Sequence, residues 1–135
     1  NVFDIAVANP PYFRYSPESN LNKNDYLSVA RHEIAITLED IVTAAKRLLR
    51  EGGSLNMIHR TERLGELVAA LRRHNFGLRR LRFVYPKTDS PAALLFLAEA
   101  RANRKDDVVV EQPLYVYDDD GGYTEKVLKI FNFKK

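Results

Sequence analysis

The chain has 135 residues, enough for one domain with a core and too few for two of ordinary size. Apolar residues make up 45% and charged residues 29%, as in ordinary globular domains; no apolar run is long enough to span a bilayer as a helix, and no cysteine is present to staple a small scaffold. The net charge is +3 but unevenly spread: eight basic residues lie between Arg60 and Lys87 against Glu62 and Glu66, while the tail carries Asp118, Asp119 and Asp120, so a polyanion would be drawn to the middle of the chain.

Val2 to Ala8 is apolar and β-branched apart from Asp4, and it stops at Asn-Pro-Pro, which reads as a buried parallel strand. Residues 14 to 25 are polar and aperiodic, as in a loop, and Leu27 to Ile36 is compatible with a helix. Thr37 and Asp40 have capping-box spacing. Behind them Ile41, Val42, Ala45, Leu48 and Leu49 share one face of a helix expected to end at Gly52 or Gly53. A strand follows over Ser54 to Ile58. Thr61 is placed to cap a second helix striped by Leu64, Leu67, Val68 and Leu71 and closing at Asn75 to Gly77.

Leu81, Phe83 and Tyr85 alternate with Arg80, Arg82 and Val84, which suits a strand with one wet face near a sheet edge. Residues 92 to 100 are apolar on both faces and suit a central strand. Pro86 to Pro91 between them is short enough for an antiparallel hairpin. Val108 to Val110 and Leu114 to Tyr117 read as short strands around Pro113, and Thr124 to Phe131 as a last short helix. The order is strand, helix, strand, helix, strand, strand, an α/β arrangement.

The opening strand runs into Asn9, Pro10, Pro11, Tyr12 and Phe13. Ligands of open α/β sheets bind beyond the carboxyl ends of strands, where Asn9 would sit. The amino nitrogen of adenine is a poor nucleophile because its lone pair is delocalised into the ring. Two acceptors aimed at its two N–H bonds favour a pyramidal nitrogen and return electron density to it. Asn9 offers a side-chain oxygen, and Pro10 a carbonyl held by the fixed φ of two consecutive prolines. Tyr12 offers a ring for an unstacked base, worth about 1–3 kcal/mol. Phe13 adds a second wall or turns inward as core. The alternative is a plain turn, since Asn-Pro is a common turn start.

The stretch NPPYF resembles the amino-methyltransferase signature. Together with ARHE (30–33), IHRTERL (58–64), FVYPK (83–87) and SPAALLFLAEA (90–100), the chain resembles bacterial tRNA adenine-N6 methyltransferases that modify the adenine beside the anticodon of a valine tRNA. Only the first of these stretches is chemically specific. The resemblance implies a class I, Rossmann-like methyltransferase sheet that is parallel until a final antiparallel hairpin. It further implies S-adenosylmethionine as methyl donor, with Asn9 touching it, and Asn9, Pro10, Pro11 and Tyr12 as the pocket for the target amine. The family's glycine-rich cofactor loop and the acidic residue that takes the ribose are missing; no Gly-x-Gly occurs in the chain. The expectation is therefore a C-terminal half that is inactive alone and either self-associates through the uncovered strand Val2 to Ala8 or is disordered there.

Arg60 and Arg63 flank the start of a helix at the expected site end and are candidate phosphate contacts for tRNA. Arg31 and His32, within the Arg31-His32-Glu33 cluster, are candidates to touch RNA or are helix-surface charges. Lys87, in the hairpin loop, is open between the same two roles. Arg72, Arg73, Arg79 and Arg80 read as solvated charges. His32, His59 and His74 lack metal-ligand spacing and read as surface or hydrogen-bonding residues. Asp118 to Asp120 reads as a turn before Gly121. The lack of cysteine is in keeping with a cytoplasmic protein. Rival readings keep the chemistry and change the substrate, to a protein glutamine or DNA adenine, or drop the chemistry for a non-catalytic RNA-binding module.

Overall fold

The computed structural model describes residues 2–10 and 37–131; the expected loop at 14–25 and helix at 27–36 lie outside the described residues. The first strand, β1 (Phe3–Ala8), is followed by helix α1 (Leu38–Leu48), strand β2 (Leu49–Arg60), a 3-10 turn (Thr61–Arg63) and helix α2 (Leu64–Arg73). Strands β3 (Phe76–Tyr85) and β4 (Leu95–Ala102), the short β5 (Val109–Val110) and β6 (Leu114–Tyr115), and helix α3 (Glu125–Phe131) complete the order.

The strands make one sheet in the order β1-β2-β4-β3-β5, with β6 also on β3. β1 runs parallel to β2, and β5 and β6 parallel to β3. β4 runs antiparallel to both β2 and β3 and lies between them, so the expected hairpin closes by inserting its second strand into the sheet.

Helix α1 begins where Thr37 Oγ1 accepts from the Asp40 amide at 3.0 Å and Asp40 Oδ2 accepts from the Thr37 amide at 3.2 Å, the expected capping box. Leu38, Val42 and Ala45 are buried on its inner face. On α2 the buried residues are Leu67, Ala70 and Leu71, whereas Val68, counted above in the apolar stripe, is exposed. Both helices pack on one face of the sheet, against Leu55 and Met57 of β2, Phe76, Leu78 and Leu81 of β3, and the fully buried Phe96 of β4. Complete burial of side chains of this kind contributes about 1.5–3 kcal/mol each. The buried alanines of β4, at 98, 100 and 102, keep the helices close to the sheet.

Four expectations need correction. The first helix ends at Leu48, and β2 starts at once and runs twelve residues instead of five. Gly52 has the positive φ (+76°) that a helix C-cap favours, but it uses it inside β2, where the register on β1 jumps from Phe3↔Leu49 to Ile5↔Ser54. Thr61 does not cap α2: its Oγ1 donates to the Ala93 carbonyl, and it opens the 3-10 turn whose last residue, Arg63, is the helix N-cap. Finally, β1 is parallel as expected but not buried. It is the edge of the described sheet, and only Ala6 and Ala8 turn toward the core while Phe3, Ile5 and Val7 stay exposed.

The turn at Asp118–Gly122 is as expected: the Gly121 amide donates to the Asp118 carbonyl and the Gly122 amide to Asp120 Oδ1, each at 2.9 Å. No helix among the described residues is long and apolar enough to cross a membrane.

Candidate active site

The parallel register Ile5↔Ser54 through Ala8↔Met57 brings the carboxyl ends of β1 and β2 together. Asn9 leaves β1 exposed, and Pro10 beyond it is buried. At the same end β2 exits through His59 and Arg60 into the 3-10 turn that carries Arg63. β4 enters there, with Leu95 opposite both Arg60 and Val84, so the end of β3 and Lys87 just after it also lie at this edge. The structure thus gathers Asn9, Pro10, Arg60, Arg63 and Lys87 at one end of the sheet. Pro11, Tyr12, Phe13, Arg31 and His32 lie outside the described residues.

The two arginines at this end already have partners. Arg60 Nε lies 3.3 Å from Glu62 Oε2, and Arg63 pairs with Glu66 one turn on, at 2.7 Å. The Lys87 backbone is held in its turn by Ser90, whose Oγ accepts from the Lys87 amide at 3.0 Å. Exposed pairs of this kind contribute little to stability, so a phosphate can replace the carboxylate at small cost. Of the arginines read as solvated charges, Arg73 pairs with Glu39, Arg72 with Asp106, and Arg80 with Glu99 and Glu111.

One residue of this end carries more than its sequence context suggests. His59 is 1% exposed, the most deeply buried ionisable side chain of the described core. Its Nδ1 accepts from the Arg60 amide at 2.8 Å. Burial holds its pKa below the ordinary imidazole range, and Arg63 nearby pushes the same way, partly offset by Glu66 and Glu62. The available signal was parity: His59 continues the core-facing series Leu55, Met57, which becomes readable only once the strand is known to extend past Ile58.

Among the described residues no glycine-lined cradle for a nucleotide-like cofactor occurs. At Gly52, Gly53 and Gly77 the space that a Cβ would take is filled by the chain's own atoms, from Arg104, from Arg50 and Asp4, and from Arg104 and Lys105 respectively. Gly65 and Gly121 have nothing within 4 Å, and the Gly122 neighbour is Asp120 of its own turn. No group of three or more potential metal ligands occurs among the described residues. A cavity of about 520 Å³ lies on the sheet face away from α1 and α2, bounded by Val7, Asn56, Ile58, Leu97, Glu99 and Ile130; Asn9 does not line it.

No family model matches the chain. A predicted O-methyltransferase from Agrobacterium tumefaciens superposes with a TM-score of 0.70 at 21% identity, over 96% of this chain and 51% of that one. The two share a mixed α/β fold, and this chain matches about half of that protein. Two curated proteins named tRNA1(Val) (adenine(37)-N6)-methyltransferase are similar in sequence. The one from Dyadobacter fermentans is 27% identical over 119 residues, which is 88% of this chain and 48% of the relative. The one from Pseudoalteromonas translucida is 23% identical over 128 residues, 95% of this chain and 53% of the relative. The chain therefore spans about half the length of the curated methyltransferases it matches, and its sheet holds the antiparallel hairpin read from the sequence.

Proposed function

We propose that this chain is the C-terminal, amine-binding half of a cytoplasmic methyltransferase that modifies N6 of an adenine beside the anticodon of a tRNA, with S-adenosylmethionine as methyl donor. The observation that carries the reading is the placement of Asn9 and Pro10: an exposed amide side chain and a buried proline at the carboxyl end of a parallel strand. The names of the sequence relatives support the substrate.

In this reading the Asn9 side-chain oxygen and the Pro10 carbonyl accept the two N–H bonds of the amine. Holding both polarises the nitrogen lone pair outward, and the fixed φ of proline keeps the carbonyl from reorganising during the reaction. The amine proton becomes acidic only after the new N–C bond forms, so no strong base is needed. Tyr12 stacks on the extruded base and Phe13 walls it. Arg60, Arg63 and Lys87, with Arg31 and His32, meet tRNA phosphates. The donor's cradle is completed by sequence outside these 135 residues.

The complete protein incubated with labelled donor and tRNA is expected to yield N6-methyladenine in the RNA hydrolysate. Label appearing instead in protein glutamine or in DNA overturns the substrate, and tRNA binding without any transfer overturns the chemistry. The 135-residue chain alone is expected to show no heat of binding to S-adenosylmethionine at micromolar concentration; a clear isotherm would contradict the division into halves.

A further inference from the structure

We propose that His59, in its neutral form, is the positioning residue of this sheet end, fixing the exit of β2 at Arg60 and, through the β1–β2 register, the Asn9–Pro10 acceptor pair. The role rests on the methyltransferase reading for its catalytic consequence, while the state of the imidazole stands on geometry alone.

His59 is the last core-facing residue of β2, paired across the sheet with the fully buried Phe96 of β4. Carried two residues past Ala8↔Met57, the parallel register sets Pro10, itself buried, alongside His59. The ring accepts the Arg60 amide on Nδ1, and this bond lies where the chain leaves the strand for the 3-10 turn. A neutral imidazole that accepts on Nδ1 carries its own proton on Nε2. Protonation would place the ring's second N–H on Nδ1, facing the Arg60 N–H. Two donors cannot share that bond, so the turn must open or the ring must move.

Among the described residues, the charged groups that bear on this imidazole are Arg60, Glu62 and Arg63 of the strand exit and 3-10 turn and Glu66 of α2. Its partner across β4 is Phe96, which is not ionisable, and neither is Pro10, which the continued β1 register sets at this level. The direction at His59 is downward, with burial the largest cause. Neutral His59 is thus the folded form at neutral pH. As pH falls below the ordinary imidazole range the unfolded chain takes up the proton first, and the strand exit loses stability before the ring itself titrates. The placement of Asn9, Pro10 and Arg60 then depends on one protonation state, and turnover acquires an acidic limb that belongs to His59.

The test has two arms. In the complete protein, His59→Asn keeps an acceptor at the position of Nδ1, whereas His59→Gln moves its amide one bond further out and His59→Ala removes it. Near neutral pH, His59→Asn is expected to stay close to wild type, while His59→Gln and His59→Ala lose roughly 10- to 100-fold in kcat with little change in KM for tRNA. The acidic limb of the wild-type profile should vanish in His59→Asn. Equal losses in the Asn and Gln variants, or a limb unchanged in His59→Asn, overturn the proposal. The second arm needs no catalysis: nitrogen-15 NMR of the 135-residue chain should show His59 as the Nε2–H tautomer, titrating below an ordinary histidine. An Nδ1–H tautomer, or a ring protonated at an ordinary pH, overturns it even if every variant fails to fold. A wild-type protein that does not methylate tRNA sinks the methyltransferase reading, and the tautomer then decides His59 alone.

Discussion

Asn9 was readable in the sequence because two prolines leave its neighbourhood almost no conformational choice, and an apolar run before it can only be a strand in a chain of this kind. The fold adds that the side chain is exposed at the carboxyl end of β1, beside the exit of β2. Its removal is expected to act on transfer and not on RNA affinity: Asn9→Ala in the complete protein should lower single-turnover methylation on the order of 100-fold while leaving the tRNA Kd within about twofold. Losses of equal size in both would mean that the residue grips RNA and does not tune the amine. His59 was not readable in the same way. A histidine between an isoleucine and an arginine has no local mark of burial, and only the length of β2 and its pairing with Phe96 reveal where the ring goes.

At the level of elements, the helices of the described residues and the hairpin were legible because their signals are local: a capping box, an apolar stripe, a short proline-bounded turn. What was misread depended on tertiary partners. Gly52-Gly53 looks like the end of a helix, yet Gly53 lies close to the Asp4 carbonyl of β1, and the strand β2 extends back to Leu49 because β1 is there to pair with it. Gly77 shows the same logic: it starts β3 with no side chain because the Arg104 and Lys105 carbonyls occupy that space. Gly77→Ala is expected to destabilise the fold by roughly 1–3 kcal/mol, read as a lower urea midpoint.

The helices are tied to each other by Glu39 of α1, which meets Arg73 and His74 at the end of α2. The Arg73 hydrogen bond, followed by that of His74, holds the Glu39 carboxyl down to about 2. Since the folded value is depressed, its contribution is present above the ordinary carboxylate value and is lost as pH falls from there through about 2. Acid unfolding followed by circular dichroism should therefore steepen across that window in the wild type and be shallower in Glu39→Gln. The cluster is exposed, so added salt should weaken the difference.

For the molecule as a whole, α1 and α2 cover one face of the sheet and, among the described residues, the other face is covered less. Charges line part of that second face, where Glu99 joins Arg80 and Arg101, and Glu111 joins Arg80 and Arg82. The β1 side is apolar instead, with Ile5 64% and Val7 77% exposed on the edge strand of the described sheet. An edge of that kind pairs with whatever strand is offered, and charge on it is the usual deterrent. The 135-residue chain is expected to self-associate in sedimentation velocity, and Val7→Lys to shift it toward monomer. A wild-type chain that remains monomeric at high concentration would show that the edge is already protected.

The insertion of β4 between β2 and β3 bears on how the molecule is made. β2 and β3 each pair with β4, and β4 is the last of the three to be synthesised. Until residues 95–102 clear the ribosomal exit tunnel, β2 and β3 of the growing polypeptide lack the strand with which both pair in the folded chain. A nascent chain stalled before that point is therefore expected to recruit chaperones more than one stalled after it.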